Sequence, residues 1–282
     1  MWALKVVAKV MLSRLPVPYG LWRRLGLFRH GHMDRGDYAL KIFRLHVQRA
    51  FPAGLPQGAC VLEMGPGDSI ASALIAAGHG AGQVWLVDAG DFASKDVALY
   101  RALAADLARQ GIAVPDLSAC ASFDDVLAAC RARYLTAGLA SFGQIADGSV
   151  DMIWSHSVLE HVRKAELEAT LASMHRVLRP GGQASHNVDY QDHLDHALNN
   201  LRFAARLWES PLLAESGIYT NRVPAVVMHR LFRQAGFELL QENFGCWPTL
   251  PTPRRAMAAE FAAYTDQDLL QRTSHALLRR SV

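Results

Sequence analysis

Cysteine is scarce in this chain. Of 282 residues only Cys60, Cys120, Cys130 and Cys246 are cysteines, with no Cys-x-x-Cys pair and no zinc-ligand spacing. That argues against a disulfide framework and points to a reducing, cytoplasmic compartment; Cys60 opens an apolar run, where a buried thiol is ordinary. No apolar run reaches the ~18 residues that span a bilayer. The stretch MWALKVVAKVMLSRL is broken by Lys5 and Lys9 and has no small-residue cleavage site, so no secretory signal is expected. Repeats and low-complexity tracts are absent. A dominant charge is absent as well: the net charge is +3, with ten Lys/Arg against Asp34 and Asp37 in residues 1–50 (+8) and −5 over the remainder. A basic character confined to one segment speaks against a nucleic-acid partner.

What is present is core material. With 51% hydrophobic residues the chain can bury one large α/β domain. Residues 1–50 are expected as a basic, amphipathic helical segment and 51–282 as the main domain. A first helix over 2–15 sets Lys5, Lys9 and Ser13 opposite Trp2, Val6, Val7, Val10 and Met11, ending before Pro16 and Pro18. Such a face suits peripheral contact of residues 1–25 with an anionic membrane, and equally packing on the chain itself or on a partner subunit. A second helix, 37–50, carries Tyr38, Ile42, Leu45 and His46 on one face.

From Cys60 the pattern repeats: short apolar strand, turn, helix. Strands are expected at CVLEM, QVWLVD, ARYL, SVDMIW and GQASHNV, with helices to about 79, over 94–110 and over 163–178, the last stopped by Arg179-Pro180-Gly181-Gly182. Alternating strands and helices imply a mostly parallel sheet covered on both faces. A helix over 224–235 follows, then closing strands FELLQENF and SHALLRR, with the Pro-rich excursion WPTLPTP between them.

The first strand runs into Glu63-Met64-Gly65-Pro66-Gly67-Asp68-Ser69, where small residues let a ligand approach the backbone beside a helix start. Asp88 ends the second strand, 21 residues after Gly67, placed to accept from ribose hydroxyls. Gly65, Gly67 and Ala71 would also suit a dinucleotide. However, Glu63 at the strand end would repel a pyrophosphate and engage the ammonium of S-adenosylmethionine.

In order and spacing, VLEMGPGD, VWLVD, GSVDMIWSHSVLEHV and MHRVLRPGG resemble the successive motifs of class I S-adenosylmethionine-dependent methyltransferases. FRHGHMDRGDYA and HNVDYQDHLDH with LNNLRF, LWES and SGIYTNR look like a bacterial subgroup associated with polysaccharide and glycan genes. The resemblance implies a Rossmann-like seven-stranded sheet with an N-terminal helical extension and a lid after strand five. It implies Glu63, Gly65 and Gly67 around the methionine moiety, Asp88 on the ribose, and Ser155 and His156 on the sulfonium side. Ser69 replaces the third glycine of the usual turn, and Leu139-Ala140-Ser141 stands where an adenine motif is expected.

A hydroxyl acceptor needs positioning and a base. His193 or His186, oriented by Asp189 or another neighbouring aspartate, is the expected base, and His156 and His161 lie nearby in sequence. Asp189 and Asp192 with a histidine would also make ligands for a divalent ion, yet their spacing matches no closed metal motif, and no metal is expected. Residues 190–222 are expected to form a lid. Within it, Asp192, Trp208, Tyr219 and Arg222 would touch a glycan or lipid-linked sugar, by stacking or by clamping a phosphate or carboxylate. Two other functions fit the same turn: a nicotinamide-dependent oxidoreductase, and a non-catalytic partner protein with this fold.

Overall fold

The computed structural model describes residues 2–15 and 31–281. Seven strands form one sheet in the order β3-β2-β1-β4-β5-β7-β6: β1 Cys60–Met64, β2 Gln83–Val87, β3 Ala132–Leu135, β4 Val150–His156, β5 Leu178–Asp189, β6 Phe237–Cys246 and β7 Gln271–Arg280. β1 to β5 run parallel, and β7 enters antiparallel between β5 and β6. The central strands are apolar on both sides because helices cover both faces. On one face α2 (Gly36–Ala50), α3 (Ala71–Gly78), α4 (Val97–Arg109) and α5 (Phe123–Ala129) share a core with Val61, Val84, Met152 and Trp154. On the other, α6 (Leu167–Val177) and α7 (Ala225–Gln234) pack with Leu62, Met64, Ile153 and Val188.

The sequence reading is off by a few residues at helix ends and by more in three places. β5 begins at Leu178, directly after α6, and runs through Pro180-Gly181-Gly182, which were expected to be a turn. Its pairing with β4 shifts register between Val150 and Met152, which absorbs the irregular start. α5 was not expected; Ser122 and Asp125 close a capping box at its start. The third difference is the Pro-rich excursion. Residues 247–270 form a second insertion of short turns whose Trp247, Leu250, Phe261 and Leu269 pack with Leu198 and Leu201 of the lid. The cap over the sheet is therefore built from two insertions.

Helix α1 (Trp2–Ser13) is as expected in extent but not in orientation. Lys5 donates to the Leu194 carbonyl and pairs with Asp195, and Lys9 donates to the Gly217 carbonyl. Val6 packs beside Leu194 and Trp208, while Leu4, Val7 and Met11 face outward. The basic stripe is thus turned onto the lid rather than toward a membrane. Pro16 to Arg29, including the expected helix stop, lie outside the described residues.

The lid begins on a buried carboxylate. Asp192 is 1% exposed and accepts from the backbone N–H groups of Leu194, Asp195 and Asn199. Asp192→Ala leaves these donors without their acceptor and is expected to cost about 2–3 kcal/mol. Calorimetry then shows the melting temperature lowered by roughly 5–10 °C, and a shift under about 1 °C would contradict this role.

Candidate active site

The carboxyl ends of β1, β2 and β4 meet at one place. Gly65 donates to the Val87 carbonyl at 2.8 Å, which bends the chain off β1 across the end of β2. Gly65 and Gly67 have φ of +70° and +66°, a region that favours glycine. The Asp88 carboxylate accepts from Gly67 N–H at 2.9 Å and Ala89 N–H at 2.7 Å. Burial nevertheless pushes its pKa up to about 6, the two N–H groups opposing the shift. Glu63 lies beneath this turn, 2% exposed, and accepts from the Ser72 hydroxyl at the start of α3. Burial raises it to about 8, and Ser72 opposes. Glu63 thus supports the turn from below, with little surface open to a ligand.

A further segment reaches this end of the sheet. Gly138 N–H donates to the Asp88 carbonyl at 2.8 Å, which lays the turn Gly138–Gln144 beside Ala89. Gly138 has φ of +55° and its open side has only Ala89 Cα within 4 Å, at 3.8 Å. This turn stands where a base attached to a ribose on Asp88 would lie, although its residues carry no recognisable adenine motif. The donor set therefore fits a nucleoside cofactor: a buried aspartate with spare lone pairs, a glycine turn, and an open flank.

Ser155 and His156 at the end of β4 point to opposite faces. Ser155 Oγ is 2.8 Å from His186 Nδ1 on the α7 face. His186 is fully buried against Phe232, and burial lowers its pKa to about 3. It is sealed below the strand end and positions Ser155, so it does not reach an acceptor as a base. His156 lies on the α2 face, where its Nδ1 is 3.3 Å from His46 Nε2, and His46 Nδ1 is 2.8 Å from Ser185 Oγ. Burial lowers His156 to about 4. Asn187 continues this polar row toward His275, at 2.9 Å. His46 was read from the sequence only as part of a helix face; its partner Ser185 is 139 residues away, a separation that no local pattern announces.

On the lid side, His193 stacks on His161, with ring centroids 4.8 Å apart. His161 Nδ1 is 2.9 Å from the Tyr219 carbonyl. His193 is half-buried with Nε2 unpartnered among the described residues, and burial lowers its pKa, with Lys9 adding to the effect. The Asp189 carboxylate accepts from Gln191 N–H and Nε2, and Asp192 is committed to backbone, so neither orients His193 through a hydrogen bond among the described residues. No group of three or more His, Cys, Asp or Glu among the described residues could hold a metal ion.

The aromatic platform is closed. Trp208 is fully buried and its indole donates to the Thr220 carbonyl, and Tyr219 stacks on it while donating to Glu209. Both build the lid's own core and offer no free face to a sugar. Arg222 is held too: it donates to the carbonyls of Asn200 and Phe203, pairs with Glu260 at 3.1 Å, and lies over the Trp208 and Phe261 rings. Its charge joins the two insertions instead of clamping an anion.

A Cβ on Gly65 would stand 2.4 Å from Val158 Cγ2, in a left-handed backbone conformation. Gly65→Ala is expected to weaken S-adenosylhomocysteine binding by about tenfold or more, since such strain costs on the order of 1–3 kcal/mol. Val158→Ala added to it recovers part of the loss in a calorimetric titration. An unchanged affinity in the single variant would contradict this close approach.

Comparison with known proteins bears on the fold and the family. No curated protein matches the sequence. Among solved structures, a chain of the complex between the Haloferax volcanii Trm112 methyltransferase activator and a methyltransferase aligns with TM-score 0.50 and 16% identity, covering 95% of this chain and 100% of that one. A structure described as a methyltransferase, from Bacillus halodurans C-125, aligns with TM-score 0.50 and 11% identity over 85% and 99% of the two chains. Haemonchus contortus phosphoethanolamine N-methyltransferase 2, solved with S-adenosyl-L-methionine, aligns with TM-score 0.48 and 12% identity over 86% of this chain and 53% of that one. Residues 35–242 match the family described as methyltransferase domain, and the chain belongs to that family.

Proposed function

We propose that this protein transfers the methyl group of S-adenosylmethionine to a hydroxyl of a polar acceptor, a glycan or lipid-linked sugar, with His193 as the base. S-adenosylmethionine is the cofactor. When bound it supplies an electrophilic methyl group on a sulfonium, so the protein's work is placement and proton removal. Family membership and the Asp88 turn carry the cofactor part of this reading. Asp88 accepts from the ribose hydroxyls, the glycine turn receives the methionine portion, and the end of β4 lines the sulfonium side through His156, Ser155 being fully buried against His186.

His193 supports the base assignment by three properties. It stands on the lid at its contact with the post-β4 segment, its Nε2 is unpartnered among the described residues, and burial keeps it neutral at neutral pH. A neutral imidazole is what a proton acceptor requires. The NAD-type alternative is disfavoured by membership of the methyltransferase family. A peripheral membrane contact through residues 1–25 would rest on the outward Leu4, Val7 and Met11, since the lysines are turned inward; residues 16–25 lie outside the described ones.

Asp88 must be ionised to accept from two hydroxyls, and its pKa is raised to about 6. S-adenosylhomocysteine affinity is therefore expected to be level above neutrality and to fall as pH drops through about 6. Asp88→Asn flattens that dependence and weakens binding at pH 7.5 by roughly tenfold or more. Equal affinity in variant and wild type would refute the ribose assignment. Against a panel of hydroxylated sugars, His193→Gln is expected to slow S-adenosylhomocysteine release by about a hundredfold or more, with cofactor affinity unchanged. A turnover rate equal to wild type would remove His193 as the base.

A further inference from the structure

Beyond the cofactor turn, one small cavity, walled by Leu198, Leu201, Val223 and Leu269 together with several polar groups, has no part in the site so far described. Its walls include Glu160, Asp189, Thr220, Arg222, Asp268 and Gln271, and it has room for about one water-sized group. It lies beyond the carboxyl ends of β4 and β5, under the junction of the two insertions. Asn221 braces its wall: its N–H donates to the Glu160 carbonyl at 2.7 Å, and its side chain donates to the carbonyls of Leu159 and Val162. Arg222 next to it has φ of +59°, a left-handed conformation uncommon for arginine.

The walls carry polar atoms with no answer. Glu160 is 2% exposed, its carboxyl group meets no side-chain partner among the described residues, and burial, with Asp189 adding to the effect, raises its pKa well above the ordinary carboxylate range. Gln271 Oε1 and Arg222 Nε are also buried without a partner among the described residues. Buried polar groups are rarely left this way, and a cation beside Glu160 would favour its ionised form, in which both oxygens accept. The single wall cation is already paired with Glu260, while Asp189 and Asp268 add negative charge. An anion would meet carboxylates on several sides. A group with several N–H donors and a positive charge would answer both the acceptors and the charge.

We propose that this cavity anchors a primary ammonium group of the methyl acceptor, donating to Glu160 and Gln271, so that the substrate class is an amine-bearing polar molecule. The inference rests on the methyltransferase reading and narrows its acceptor. The ammonium is a handle that positions the acceptor; the cavity admits a terminal group and no sugar ring.

Ethylammonium chloride is the probe, added to the full chain saturated with S-adenosylhomocysteine, with sodium chloride at equal ionic strength as control. Ethanol and acetate serve as neutral and anionic counterparts. Thermal unfolding and saturation-transfer NMR are expected to show saturable ethylammonium binding and none by the counterparts. Glu160→Gln is expected to weaken that binding by about tenfold or more, with S-adenosylhomocysteine affinity held within about twofold. Should Glu160→Gln fail to fold, Gln271→Met is expected to weaken ethylammonium binding in the same direction. No stabilisation beyond sodium chloride, an equal response to ethanol, or an unchanged response in a folded variant would overturn the proposal. Wild-type protein that binds S-adenosylhomocysteine but ignores ethylammonium overturns only the anchor, whereas failure to bind S-adenosylhomocysteine overturns the methyltransferase reading beneath it.

Discussion

Four backbone and side-chain hydrogen bonds converge on Asp88, and the working end of the sheet hangs on them. Its N–H donates to the Leu135 carbonyl at the end of β3, and its carbonyl accepts from Gly138. Its carboxylate oxygens accept from Gly67 and Ala89. One residue thereby ties the turns after β1, β2 and β3 together. Its half-buried side chain stands at that junction, with burial opposing the ionisation. A nucleoside bearing two hydroxyl donors would satisfy the carboxylate that the fold has desolvated, so binding and local stability are linked there.

The acceptor end is organised by another principle. Two insertions, 190–224 and 247–270, have small apolar cores of their own and are joined by the paired Arg222–Glu260 and by aromatic faces around the guanidinium. Helix α1 braces the first insertion through Lys5 and Val6. Aromatic and basic residues, which in a lid invite assignment to a substrate, are here spent on holding the lid. Of the buried groups without a side-chain partner among the described residues, Glu160 and the Nε2 of His193 lie on the acceptor side.

The sheet and the cofactor turn were legible in the sequence because their signals are local. CVLEM, QVWLV and VDMIW are short apolar runs bounded by turn residues, and the Gly65-Pro66-Gly67 turn with Asp88 at the next strand end has a spacing that only a βαβ unit explains. The acceptor side was hidden because its contacts are distant in sequence. Trp208 and Tyr219 look the same whether they face a sugar or each other, and only tertiary packing decides. His186 alternates with Val188 on β5, which shows that it is inward but not that it is sealed. Residues 247–270 have no periodicity to read, since two 3-10 turns and a single α-helical turn are too short to show one. Glu160 was visible as an acid in the apolar run SVLEHV, and an acid in such a run is a signal that can be sought deliberately.

The central claim is that the nucleoside sits on Asp88 with its sulfur turned toward the end of β4 and the lid. A crystal structure with S-adenosylhomocysteine tests it most directly. The account predicts both ribose hydroxyls within hydrogen-bond distance of the Asp88 carboxylate and the sulfur between the end of β4 and His193. A ribose bound elsewhere, or a sulfur directed away from the lid, would contradict it.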